Sequence, residues 1–249
     1  MTVVLETRDV TRYFGAVKAA DHLSVQLQEG EIVGIVGPNG SGKTTFVNIV
    51  TGYVKPTQGQ VFFKGGDVSG LDPRELTKLG ITRSFQVPQL YTRLSILENM
   101  LIALSAHSER HWQFWRPLKT GERINQALRV LGQFGFQDGT HHRVSTLPEG
   151  GRKLLDVALS FALRPKLLLL DEPTSGVSVD EKFGLMDTLF GVVKDSGITT
   201  VFIEHDMDVV ARYADRVIVF AEGSILADGQ PDAVFANPEV RRHVLGEGV

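Results

Sequence analysis

"EIVGIVGPNGSGKTT", residues 31–45, decides how the rest of the chain is read. "EIVGIVG" (31–37) is rich in β-branched residues and ends in glycine, so it reads as a buried strand. "KTTFVNIVTG" (43–52) has helical spacing and stops at Gly52, a helix terminator. Between them lies the spacing G-x-x-x-x-G-K-[ST], from Gly37 to Thr44. Gly37, Gly40 and Gly42 let the backbone curl until its N–H groups face a polyphosphate, with Asn39, Ser41 and Thr45 on the same cradle. A helix beginning near Lys43 adds about half a positive charge at its N-terminus. Lys43 is placed to reach the β- and γ-phosphates, and the Thr44 hydroxyl to ligate Mg²⁺. A chance glycine turn would not come with a strand before it and a helix after it.

The same pattern recurs outward. "LLLLD" (167–171), "TTVFIEH" (199–205) and "RVIVF" (216–220) read as short buried strands, with helical patterns between them. Strands alternating with helices predict a parallel α/β sheet. In such sheets ligands sit at the carboxyl ends of the strands. Gly37, Asp171 and His205 all fall there. Asp171 is a candidate for holding Mg²⁺ through water. Glu172, next to it, is a candidate to orient and deprotonate an attacking water. A lone histidine is more often structural. His205 is singled out by its strand end, where it can touch the γ-phosphate and couple it to Glu172.

The middle of the chain differs. From Ser84 to Leu163 the strand signal fades, and "SILENMLIALSAH" (95–107), "GERINQALRVLGQFG" (121–135) and "GRKLLDVALSFAL" (151–163) read as helices. The last is apolar nearly all round, which predicts burial. "HSERHWQFWRPLKTG" (107–121) breaks the pattern, and its Trp112, Phe114 and Trp115 form an aromatic cluster suited to helix packing or to a membrane partner. The expected layout is an α/β core with a β part over residues 1–83, a helical insertion over 84–163, and the rest of the core over 164–249.

Composition narrows the classes. A net charge of −3 gives no broad basic face for nucleic acid, and "RRH" (241–243) is too short to supply one. The absence of cysteine excludes disulfides and thiolate metal sites. No basic stretch precedes an apolar one at the start, and no apolar run is long enough to cross a bilayer, so a cytoplasmic protein is expected. Any membrane role then needs a partner.

These residues, in this order, resemble the ATPase subunit of an ABC transporter. The carriers are the Walker A stretch "GPNGSGKTT" (37–45), Gln86 in "RSFQ" (83–86), the Walker B stretch "LLLLDE" (167–172), the D-loop region "SGVSVD" (175–180) and His205. The resemblance spans nearly the whole chain. It implies a RecA-like P-loop NTPase core with an antiparallel β subdomain and an inserted helical subdomain. It also implies ATP and Mg²⁺ as cofactors, and Gln86 as a sensor of Mg²⁺ and γ-phosphate. An aromatic beside "RYFG" (12–15) would stack on adenine. Tyr13 and Phe14 both qualify, and counting back from the glycine favours Phe14. The stretches "ITRSFQVPQLYTRLSILENMLIA" (81–103), "IEHDMDVV" (203–210) and "NPEVRRHVLGEG" (237–248) are similar to the branched-chain amino acid uptake branch.

"STLPEGG" (145–151) falls where this family carries its signature, LSGGQ. The family pairs two cassettes head to tail, so that this turn would touch the partner's γ-phosphate. Leu147 and Gly150 match, while Pro148, Glu149 and Gly151 depart. Proline lacks both the hydroxyl and the N–H that the serine offers. Gly150, the following N–H groups, and the charges of Arg152 and Lys153 remain as phosphate contacts. Pro and acidic residues also suit an ordinary helix start. Ser178 stands where the D-loop often has aspartate.

The resemblance implies a second ATPase subunit, identical or different, transmembrane permease subunits, and an extracytoplasmic solute-binding protein. It places the chain on the inner face of the cell membrane. Alternatives at this point are the ATPase of a lipid or lipopolysaccharide exporter, a soluble ABC protein, and a non-catalytic ATP-binding regulator.

Overall fold

Each parallel strand feeds two cores by turns. The computed structural model describes residues 2–84, 86, 88–106 and 120–245; the cluster of Trp112, Phe114 and Trp115 lies outside them. The chain opens with a long antiparallel pair, β1 (Val3–Phe14) and β2 (Val17–Gln28), and then enters β3 (Ile32–Val36). Helix α1 (Lys43–Val50) follows, then β4 (Gln58–Phe63) and β5 (Gly66–Asp67). These complete a four-stranded antiparallel sheet in the order β2-β1-β4-β5. Helix α2 (Pro73–Leu79) starts on a capping box in which Asp72 and Glu75 satisfy each other's backbone N–H groups.

Strand β6 (Ile81–Arg83) leads into the helical stretch: α3 (Ile96–Ala106), α4 (Gly121–Gln133), a 3₁₀ turn at Val144–Thr146, and α5 (Glu149–Ala162). The chain then alternates through β7 (Leu167–Asp171), α6 (Val179–Ser196), β8 (Thr199–Ile203), α7 (Met207–Tyr213), β9 (Arg216–Ala221) and β10 (Ser224–Gly229). Helices α8 (Pro231–Ala236) and α9 (Pro238–Val240) close the described chain with a π turn at Arg241–Leu245. The second sheet has the order β10-β9-β3-β8-β7-β6, parallel throughout except for β10. The expected α/β fold with an antiparallel β part and helical insertion is therefore observed.

Side chains on a strand alternate between faces. Val33, Ile35, Leu167, Leu169, Val201, Ile203, Ile218 and Phe220 pack with the antiparallel sheet and α1. Their neighbours Ile32, Val36, Leu168, Leu170, Phe202, Val217 and Val219 pack under the helices. Burial on both faces is why these strands read as unbroken apolar runs. Gly34 belongs to the helical side, where a Cβ would lie 2.7 Å from Val210 of α7. Its lack of a side chain brings α7 close to β3.

Helix α5 is buried as expected through Leu155, Val157, Ala158 and Ala162, but its buried face is not wholly apolar. Lys153 and Asp156 are 3% and 7% exposed. Its polar face has partners of its own, described below. Nor are the aromatics at the end of β1 core residues: Tyr13 and Phe14 are 40% and 45% exposed.

Candidate functional site

Gly37 has φ +149, and a Cβ there would sit 2.3 Å from the carbonyl oxygen of Phe220. Gly42 has φ +105, and its Cβ would lie 2.7 Å from the carbonyl oxygen of Ala19. Only glycine fits a left-handed turn pressed this tightly against β2 and β9. The turn delivers the chain straight into α1, whose first turn has no side-chain cap. The N–H groups there are left for a ligand. The Ser41 hydroxyl is buried without a partner among the described residues. Phosphate oxygens are the acceptors such a cradle lacks.

Lys43 is 5% exposed. Its ammonium donates to the carbonyls of Gly37 (2.7 Å) and Pro38 (2.9 Å), bracing the loop around itself. Burial pushes its pKa below the usual lysine value, and the carboxylates of Glu172 and Asp171 oppose that shift. Both acids are therefore within electrostatic reach of the loop.

Glu172 follows β7 with φ +49, an uncommon conformation that costs a non-glycine residue ~1–3 kcal/mol. Its N–H donates to the Ile203 carbonyl of β8 (3.1 Å). One carboxylate oxygen accepts from the Gln86 amide (2.6 Å), and the other lies 3.0 Å from His205 Nε2. Gln86, Glu172 and His205 thus meet across three separate segments of the chain. His205 precedes Asp206, which caps α7 by accepting from the N–H groups of Asp208 and Val209. That cap turns the chain away just after the strand and leaves the imidazole at the sheet's end.

Asp171 is held differently. Its carboxylate pairs with Arg83 of β6, and the two side chains are 8% and 9% exposed. Arg83 also donates to Asn48 of α1 (2.6 Å). Among the described residues no three His, Asp or Glu side chains gather into a metal cage. A cation here would need oxygens from a bound phosphate beside those of the protein.

Of two further groups, Glu204 was not singled out from sequence and Lys153 was given a different role. Glu204, 3% exposed, accepts from both the N–H and the hydroxyl of Thr174 (2.8 Å each), fixing the turn after Glu172 to β8. Burial raises its pKa, and the hydrogen bonds from Thr174 work against that. Lys153 of α5 points inward. Its ammonium donates to the carbonyls of Gln86 (2.6 Å) and Glu172 (3.1 Å). It is therefore not available at the start of α5 for a partner's phosphate, contrary to the expectation from its position.

The remaining candidates lie further out. Pro148 is the N-cap of α5 and offers no side-chain hydrogen bond. Gly150 faces its own chain, where a Cβ would touch Val177 and Leu185 at 3.5–3.6 Å. Glu149 pairs with Arg152 one turn on (3.6 Å), which balances its charge. The ring of Phe14 carries the Arg12 guanidinium at 4.7 Å, and that of Tyr13 the Lys18 ammonium at 5.8 Å.

Fold and site together define a phosphate-loop nucleotide-binding protein. The profile of the ABC transporter family matches residues 20–175. "Probable branched-chain amino acid transport ATP-binding protein LivG" of Archaeoglobus fulgidus is 36% identical, over 98% of this chain and 95% of its own length. The crystal structure of the ADP conformation of MJ1267, an ATP-binding cassette of an ABC transporter, superposes with a TM-score of 0.87 at 32% identity, covering 99% of this chain and 100% of that one. The dimeric structure of MJ0796, a bacterial ABC transporter cassette, gives 0.76 at 29% identity, covering 91% and 98%. The chain belongs to the ABC transporter family and is a nucleotide-binding ATPase of it.

Proposed function

We propose that this ATPase powers import of branched-chain amino acids through separate membrane subunits. Its hydrolytic role rests on one observation: the Glu172 carboxylate, at the sheet's carboxyl end, held between Gln86 and His205. The solute is supported by the similarity to LivG. Among the described residues no helix is long and apolar enough to cross a membrane, so the permease and an extracytoplasmic solute-binding protein would be other chains. The chain would then work at the inner face of the membrane.

In this reading Lys43 and the amides of residues 39–45 hold the phosphates, with Asn39, Ser41 and Thr45 on the cradle, and Phe14 stacks on adenine. Mg²⁺, when bound with ATP, neutralises charge on the β- and γ-phosphates. Thr44, Asp171 and Gln86 are the side chains that would hold it. Glu172 orients water and takes its proton, and His205 stabilises charge at the γ-phosphate. Two cassettes close over ATP, with Pro148 and Gly150 of each against the other's nucleotide. Helices α3, α4 and α5 move as the arm toward the permease.

The deciding experiment is reconstitution with its copurifying membrane subunits, measuring ATP-driven leucine uptake. Uptake that stops without ATP is expected. Copurification with a lipid-export permease instead would overturn the solute assignment.

Two substitutions probe the cassette. Lys43→Ala removes a charged donor to two phosphates, each such bond worth ~1.5–3 kcal/mol, so ATP affinity should fall about 10²–10⁴-fold by calorimetry. Pro148→Ser restores a hydroxyl at the start of α5. ATP-driven self-association should tighten by about ten- to hundredfold in light scattering. Unchanged association would remove this turn from the interface.

A further inference from the structure

Helix α5 carries a polar stripe that meets residues 83, 86 and 89. The Ser160 hydroxyl donates to the Arg83 carbonyl (3.3 Å), Lys153 donates to the Gln86 carbonyl (2.6 Å), and the Gln89 N–H donates to Asp156 (3.3 Å). Positions 153, 156 and 160 lie on one helix face. Residues 83, 86 and 89 are thus each fastened to α5. Lys153 does more than the other two, because the same ammonium reaches the carbonyl of Glu172 (3.1 Å).

Glu172 needs holding. Its backbone is in the left-handed region, and its carboxylate is useful only in one place. Its carbonyl also accepts from the Ser175 N–H (3.1 Å), but that bond lies within its own turn. Lys153 brings the hold from a different element. The acids around the ammonium are Glu149 and Asp156 on α5, Glu172 after β7, and Glu204 after β8. Burial at a site that is 3% exposed lowers the Lys153 pKa below the usual lysine value, and these acids oppose that shift. Lys153 lies two residues beyond the "LPEGG" turn, on the same helix.

We propose that Lys153 is a positioning residue that locks Glu172 and Gln86 to the first turns of α5, so that engagement of residues 147–151 by a partner cassette is felt at this chain's own Glu172. The lock rests on the assignment of Glu172 under Proposed function. It gives a route from one nucleotide site to the other that runs through a single side chain. Movement of α5 relative to β7 breaks the Lys153 contact and releases the glutamate.

The test compares Lys153→Met and Lys153→Arg in the full chain, with MgATP as the probe. Lys153→Met should lower kcat about ten- to hundredfold while ATP affinity stays within about threefold. Lys153→Arg keeps the charge and donors and should recover most of the loss. Wild-type kcat in Lys153→Met overturns the proposal, as does equal loss in both variants or a parallel loss of ATP binding. If Lys153→Met does not fold, Lys153→Arg and Lys153→Gln are compared instead; equal kcat in these two overturns it. Glu172→Gln separates the two assignments. Should that variant turn over normally, the catalytic reading fails; should it be inactive while Lys153→Met is normal, only the lock fails.

Discussion

Glu172→Gln binds ATP with near wild-type affinity and hydrolyses it about 10²–10⁴-fold more slowly, the range that a positioned general base contributes. The amide keeps the size of the carboxylate and can still meet Gln86 and His205, whose present contacts are 2.6 and 3.0 Å. It cannot take a proton. Nothing in the phosphate cradle changes, because Lys43 is braced by the carbonyls of Gly37 and Pro38. Single-turnover kinetics with radiolabelled ATP read the chemical step, and calorimetry reads binding. Turnover within a fewfold of wild type would remove Glu172 from the chemistry. The inactive variant should also accumulate as an ATP-bound dimer in light scattering, since closure is no longer relieved by hydrolysis.

Arg83→Met should destabilise the nucleotide-free protein by ~3–5 kcal/mol, the cost of stranding one member of a buried ion pair. The Asp171 carboxylate is 9% exposed and pairs with Arg83, whose other nitrogen donates to Asn48 of α1. Methionine fills much of the volume and satisfies neither partner. Urea denaturation measures the loss; a change below about 1 kcal/mol would mean that the pair behaves as a solvated one. Saturating MgATP should restore part of the stability, because a ligand that binds only the folded state adds RT ln(1 + [L]/Kd). A cation near Asp171 would also replace the lost positive charge. Absence of any recovery would count against Asp171 as a Mg²⁺ partner.

Those two residues differ in how they could be found. Glu172 stands next to Asp171 at the end of an apolar run, and the run itself announces a buried strand. Arg83 announces nothing. It precedes Gln86 by three residues in an ordinary-looking stretch, and its partner lies 88 positions away. The fit between them exists only once β6 lies beside β7 in parallel register, Arg83 opposite Leu169. Lys153 was visible only as a charge just after the "LPEGG" turn. Its position suggested a charge for a partner's phosphate, and the direction it faces could not be read from the helix alone.

Local chemistry is written in local sequence. The phosphate loop needs glycines, a lysine and a threonine within a few residues, so Gly37 to Thr45 declared both the strand before them and the helix after them. The two-residue period of strands and the 3.6-residue period of helices likewise require only neighbours, and they marked out the parallel core and the helical stretch. Contacts between distant segments have no such period. The bond from Gln86 to Glu172, the bracing of Glu172 by Lys153 and the pairing of Glu204 with Thr174 join residues 19–86 positions apart. Their geometry came from the order β10-β9-β3-β8-β7-β6 and from α5 lying against residues 83 and 86, because only packing brings those backbones within reach of one another.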